Sequence, residues 1–226
     1  MDAPYAVKVC GITRAADATA ALRQGVAFIG INRWPSSPRF VPEARLPSLL
    51  DVIPAGRRVC VDVQPLPAAL ENARDAGFDC FQIHFDPVPP DAPEALAAWA
   101  RILGRHRLWL APRVAPADPW PWWVLDYADT FLCDGFHAGQ FGGTGRVADW
   151  ARFSALKRAH PQKRWLLAGG LGAGTIEEAA LTTGADFFDL NSGIEDAPGM
   201  KNSEKLARVL ALLHKIKQAP VLAEKF

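Results

Sequence analysis

Short runs rich in β-branched and aromatic residues recur along this chain at 5–10, 26–31, 57–63, 79–84, 107–111, 130–134, 164–168 and 186–190. Between and after them lie stretches whose apolar residues repeat at helical spacing, at 14–24, 42–53, 67–76, 92–103, 147–159, 175–182 and 203–217. The interval 118–127, with Trp120, Trp122 and Trp123, is an odd aromatic segment in the place of the fifth helix. Strand-helix alternation of this kind implies parallel strands joined by right-handed crossovers. Eight units in 226 residues fit a closed (β/α)8 TIM barrel better than an open doubly wound sheet. The expected organisation is therefore one barrel domain over 1–226. Proline-rich 87–93 and 112–121 read as loops, and Pro47 should shorten or kink the helix at 42–53.

Composition narrows the partners. Half the residues are hydrophobic and 22 % are charged, enough to bury a sizeable core. A formal charge of +1 argues neither for nor against a polyanionic partner, but the lack of a Lys/Arg-rich block weighs against nucleic acid. No run of about 18 apolar residues suggests a membrane span. Met1-Asp2-Ala3-Pro4 does not resemble a secretory signal, so a cytoplasmic location is expected. Cys10, Cys60, Cys80 and Cys133 lie at neither metal-ligand nor redox spacing, which suggests reduced thiols and no metal site.

In a (β/α)8 barrel, chemistry collects where the strands end. Those positions are Cys10, Asn32 with Arg33, Val63 with Gln64, His84, Asp134, Gly169 with Gly170, and Asn191, Ser192 and Gly193. Cys10 alone reads first as a small buried hydrophobe, the usual fate of a free cysteine. The turns Ala-Gly-Gly-Leu at 168–171 and Asn-Ser-Gly-Ile-Glu at 191–195 follow the seventh and eighth strands, where many barrels bind phosphate through backbone N–H groups. A third cluster, Gly-Gln-Phe-Gly-Gly-Thr-Gly at 139–145, lacks the ending of a P-loop and suits a loop that closes over a ligand. Cys10 and Asp134 form a natural acid-base pair at the barrel mouth, the minimum for a cofactor-free isomerisation. Arg39 adds a planar guanidinium suited to a carboxylate.

Taken in order, these residues closely resemble the phosphoribosylanthranilate isomerase family of tryptophan biosynthesis. The resemblance rests on Lys-Val-Cys-Gly-Ile-Thr at 8–13, Trp-Pro-Ser-Ser-Pro-Arg at 34–39, Gln-Ile-His at 82–84, the 139–145 cluster, and Asp149-Trp150. Ala-Gly-Gly-Leu at 168–171, Asp-Leu-Asn-Ser-Gly-Ile-Glu at 189–195, Pro198-Gly199 and Lys201 complete it. It implies an Amadori rearrangement with Asp134 as general acid and Cys10 as general base. Arg39 would hold the anthranilate carboxylate, Gly169, Gly170, Ser192 and Gly193 the phosphate, and His84 and Asp189 would lie near the sugar. The implied partner is a small phosphorylated substrate, with no metal or organic cofactor; monomer and homodimer are both open.

Three positions depart from the family pattern: Phe85 stands where glycine is usual, Val63 where asparagine is usual, and Arg33 where an apolar residue is usual. All three are expected near the active-site face, where Phe85 could narrow the pocket or move a loop. Two alternatives follow: a paralogue acting on another phosphosugar, or a non-catalytic phospholigand-binding protein. The tryptophans at 120–123 are expected in the core rather than on an interaction surface.

Overall fold

The computed structural model describes residues 5–135 and 148–218. Eight parallel strands close into a barrel in sequence order: β1 Ala6–Val9, β2 Phe28–Asn32, β3 Arg58–Val63, β4 Cys80–Phe85, β5 Leu108–Pro112, β6 Thr130–Cys133, β7 Arg164–Leu167 and β8 Phe187–Leu190. Pairing of β1 with β8, Lys8 opposite Asp189, closes the ring. The helices are α1 Ala15–Arg23, α2 Leu46–Leu50, α3 Pro67–Asp75, α4 Ala92–Leu103, α5 Trp150–Ala159, α6 Ile176–Thr183 and α7 Ser203–Gln218. The parallel (β/α)8 barrel expected from the alternation is the architecture observed.

The two-residue period of the strands sorts their side chains into two cores. Val7, Val9, Ile29, Ile31, Phe81 and Ile83 face outward and join the helix layer. Their alternates, including Val59, Val61, Trp109, Ala111, Leu166 and Ala168, fill the barrel interior as a separate cluster. At the N-terminal end the interior is plugged by aromatic rings. Phe28 and Phe187 meet Trp109 edge-on at 5.0 and 5.6 Å, and the Arg164 guanidinium lies 5.0 Å from the Phe187 ring centre.

Proline accounts for two local differences from the sequence expectation. The segment at 42–53 splits into a 3-10 turn, Glu43–Arg45, and α2, with Pro47 in the first turn of α2, where its missing N–H leaves no bond unmade. The fifth interval carries no α-helix but a 3-10 segment, Trp122–Asp126, preceded by Pro112, Pro116, Pro119 and Pro121, which withhold helix donors. Trp120 is buried edge-on against Trp165 at 5.7 Å, as expected of core, whereas Trp122 is half exposed beside His160. A short antiparallel pair absent from the sequence expectation, β9 Glu195–Ala197 and β10 Met200–Lys201, folds back beside β1 and β8. No helix among the described residues is long and apolar enough to cross a membrane.

Candidate active site

Lys8 on β1 and Cys10 directly after the strand are two residues apart and share its inward face. Lys8 is fully buried, and its Nζ donates to Asp189 Oδ1 at 2.7 Å from the neighbouring strand β8. Gly30 on β2 makes the room: a Cβ there would lie 2.9 Å from Lys8 Cε, 3.0 Å from its Nζ and 3.2 Å from Cys10 Cα. Cys10 continues the ladder, its N–H donating to Leu190 O at 2.8 Å. Next comes Gly11 at φ +66°, where a side chain would be strained and would also collide with Arg39 Cδ.

Arg39 enters from the loop after β2 and is met by a carboxylate of this chain. Its Nε donates to Glu195 Oε1 at 3.0 Å and its Nη2 to Oε2 at 2.6 Å. The β9–β10 turn supplies the rest of this cluster. Lys201 Nζ bridges Glu195 Oε1 at 2.6 Å and Asn191 Oδ1 at 2.8 Å, and Gly199 N–H donates to Glu195 at 3.0 Å. Burial pushes the Glu195 carboxyl up, but Arg39 and Lys201 outweigh it and hold it below the usual range. The Nη1 group of Arg39 makes no hydrogen bond among the described residues.

The charges around the thiol pull in opposite directions. Burial, then the Asp189 carboxylate, push the Cys10 thiol above its ordinary range; Lys8 and Lys201 oppose them. Burial works against the Lys8 ammonium, yet Asp189 and Cys10 raise it, so Lys8 stays charged. His84, on β4, is held to about 4 by burial and by the nearby Lys8, and is neutral at physiological pH. Gln82 Nε2 lies 2.9 Å from His84 Nε2 and ties the ring to its own strand. The other cysteines differ: Cys60 and Cys133 face the helix layer, and Cys80 packs toward the interior cluster from the first residue of β4.

Asp134 follows β6 on the inward alternation set by Leu132, and Gly135 N–H donates to its Oδ1 at 2.7 Å. It stands at the same end of the barrel as Cys10. Gly169 and Gly170 both take positive φ, 86° and 63°, after β7. Gly193 packs so tightly on Leu171 O that no Cβ would fit, which joins the turns after β7 and β8 backbone to backbone. Thr175 Oγ1 pins the first of these turns, donating to Gly170 O at 2.8 Å. Ser192 opens a single 3-10 turn, Ser192–Ile194. The 139–145 cluster lies outside the described residues. Among the described residues, no three His, Cys, Asp or Glu side chains come together as metal ligands.

Comparison with known proteins places the chain in a family. A family model described as N-(5'-phosphoribosyl)anthranilate isomerase matches residues 7–211. The N-(5'-phosphoribosyl)anthranilate isomerase of Solibacter usitatus is 36 % identical over 207 residues, covering 90 % of this chain and 94 % of the relative. The chain belongs to the N-(5'-phosphoribosyl)anthranilate isomerase family. The family member from Azorhizobium caulinodans is likewise 36 % identical, over 222 residues, with 94 % of this chain and 92 % of the relative covered. The crystal structure of phosphoribosyl anthranilate isomerase from Thermus thermophilus superposes with a TM-score of 0.74 at 28 % identity, covering 93 % of this chain and 99 % of that one.

Two of the three departures from the family pattern do not reach the mouth. Phe85 is 1 % exposed and packs edge-on against Trp99 of α4 at 6.0 Å, so it belongs to the helix layer and does not narrow the pocket. Arg33 also falls on the outward alternation: it donates to Val41 O, lies over the Phe40 ring, and lines a cavity of about 140 Å³ between β3 and the helices α2 and α3. Val63 keeps the inward parity of Val59 and Val61, so it alone of the three shares the face of Cys10. Sequence reasoning passed over Lys8, Glu195 and Lys201, although each stood inside a quoted motif. The available signal was Lys8 itself, a cation in an otherwise apolar strand.

Proposed function

We propose that this chain catalyses the reaction for which its family is named, the Amadori rearrangement of N-(5'-phosphoribosyl)anthranilate to 1-(2-carboxyphenylamino)-1-deoxyribulose 5-phosphate, in tryptophan biosynthesis. Asp134 gives a proton to the ribose ring oxygen, the ring opens, and a Schiff base forms between C1 and the anthranilate nitrogen. Cys10, as thiolate, takes the C2 proton; the resulting enamine tautomerises to the ketose. Membership of the family supports the reaction. The observation that carries the residue assignment is the position of Cys10: the first inward residue beyond β1, with buried charges beneath and beside it.

The remaining roles follow from chemistry at the same face. Glu195 takes one edge of Arg39, which orients the guanidinium and leaves its Nη1 donors for the anthranilate carboxylate. The two joined turns offer Gly169, Gly170, Ser192 and Gly193 to the phosphate, their glycines admitting the close approach an anion needs. Neutral His84 suits a hydrogen bond to a sugar hydroxyl rather than an ion pair. Asp189 acts beside the sugar through Lys8 and Cys10. The outward placement of Phe85 and Arg33 takes away the feature that favoured another phosphosugar.

The test is turnover. Purified protein mixed with freshly prepared phosphoribosylanthranilate should quench the anthranilate-type fluorescence, and the gene should rescue a tryptophan auxotroph lacking this step. A stable signal with folded protein, together with failed rescue, would contradict the proposal.

A further inference from the structure

An ammonium inside a barrel is an expensive way to fill space. Neighbouring interior positions are occupied by Val59, Val61, Leu132 and Leu166, and a buried ion pair is commonly no more stabilising than apolar side chains of similar volume. Lys8 is nevertheless fully buried, and the chain omits a side chain at position 30 to admit it. The place reserved for its Nζ adjoins Asp189 on one side and the backbone of Cys10 on another, since both Lys8 Nζ and Cys10 Cα border the space Gly30 leaves empty. An ammonium carries three donors, and only one is spent on Asp189 among the described residues.

We propose that Lys8 is a positioning residue for the reaction: its ammonium, tethered by Asp189 beneath Cys10, stabilises the thiolate form of Cys10 and so sets the fraction of enzyme that carries a competent base. Asp189 has a double part in this device. It anchors the ammonium, and it also opposes the thiolate by its own charge, so that Cys10 gains a proton readily after use. The other charged groups acting on Cys10 are Lys201 from β10 and Arg39 from the loop after β2, the latter already paired with Glu195. Lys8 also bears on His84 and helps to keep it neutral. The effect on Cys10 runs in the required direction, Lys8 drawing the thiol down against burial and Asp189.

The inference rests on the role given to Cys10 above, and its test reads ionisation rather than turnover. The ultraviolet absorbance of the Cys10 thiolate is followed against pH as a difference from the Cys10→Ser protein, for the unaltered chain, Lys8→Met and Asp189→Asn. Lys8→Met should raise the midpoint by about one pH unit, a tenfold loss of thiolate at a fixed pH below it. Asp189→Asn removes the opposing carboxylate together with the anchor of the ammonium, so its shift should be smaller than that of Lys8→Met. A lysine that merely fills space would leave the Lys8→Met midpoint where it is in the unaltered chain. Near-ultraviolet circular dichroism confirms folding; if Lys8→Met does not fold, Lys8→Gln, which keeps a polar head in the same space without the charge, carries the same expected shift. Unmoved midpoints in the folded variants would overturn the role of Lys8, whereas shifted midpoints in a protein that fails to turn over phosphoribosylanthranilate would instead contradict the proposed function.

Discussion

The two ends of the barrel interior are built from opposite materials. At the N-terminal end Phe28, Trp109 and Phe187 interlock edge-on, with Arg164 laid over the rings. At the C-terminal end Lys8 and Cys10 on and after β1, His84 on β4, Asp134 after β6 and Asp189 on β8 come together, and β9 and β10 add Glu195 and Lys201. One end gains stability by burying aromatic area; the other carries buried charge that stability alone would not select. With the roles proposed above, catalysis and folding fall to different layers of one closed sheet, and substitutions should separate them.

The largest separation should come from Asp134→Asn. Losing the general acid is expected to lower kcat by roughly 10²–10⁴-fold, while the thermal midpoint moves by only a few degrees; steady-state fluorescence kinetics and a melting curve check both halves. Trp109→Ala should do the reverse. It removes the centre of the aromatic plug and is expected to cost about 3–5 kcal/mol in urea unfolding, with kcat per folded molecule preserved. Loss of kcat in folded Trp109→Ala would break the division between the two ends.

The mouth should also be the acid-sensitive end. His84 is depressed to about 4 in the fold, against 6.5 for the ordinary side chain, so the unfolded chain binds the extra proton between those values. Stability is therefore complete above about pH 6.5 and is lost as pH falls toward 4, by about 3 kcal/mol in all. His84→Gln should flatten this part of the stability profile measured by urea unfolding; an unchanged slope would remove His84 as its source. A smaller effect is expected of Glu195→Gln. Loosening Arg39 should raise KM roughly tenfold with kcat nearly held, as for one weakened charge-assisted hydrogen bond. Smallest of all, Arg33→Leu should leave KM unchanged, because its side chain faces the helix layer.

Strand-helix alternation made the barrel legible from the sequence, because period-two and period-3.6 patterns are written residue by residue. The fifth interval shows where that stops: four prolines forbid the helix, yet they do not say that Trp120 turns inward and Trp122 outward. Cys10 and Asp134 could be placed at the mouth, since each ends a strand. The pairing of Arg39 with Glu195 could not, because it joins residues 156 positions apart through a turn that no local pattern announces. Phe85 is the instructive error. It sits one residue beyond His84 on the same strand, and the pleat sends it to the opposite face, so closeness in sequence to a site residue carried no information about the pocket.

The role of Cys10 as the base at the mouth is tested most directly by the rate of anthranilate-type fluorescence loss with Cys10→Ala at saturating substrate. The variant should fold, bind the phosphorylated substrate and turn it over at no more than a trace of the unaltered rate. A folded Cys10→Ala enzyme that works at the normal rate would contradict that role.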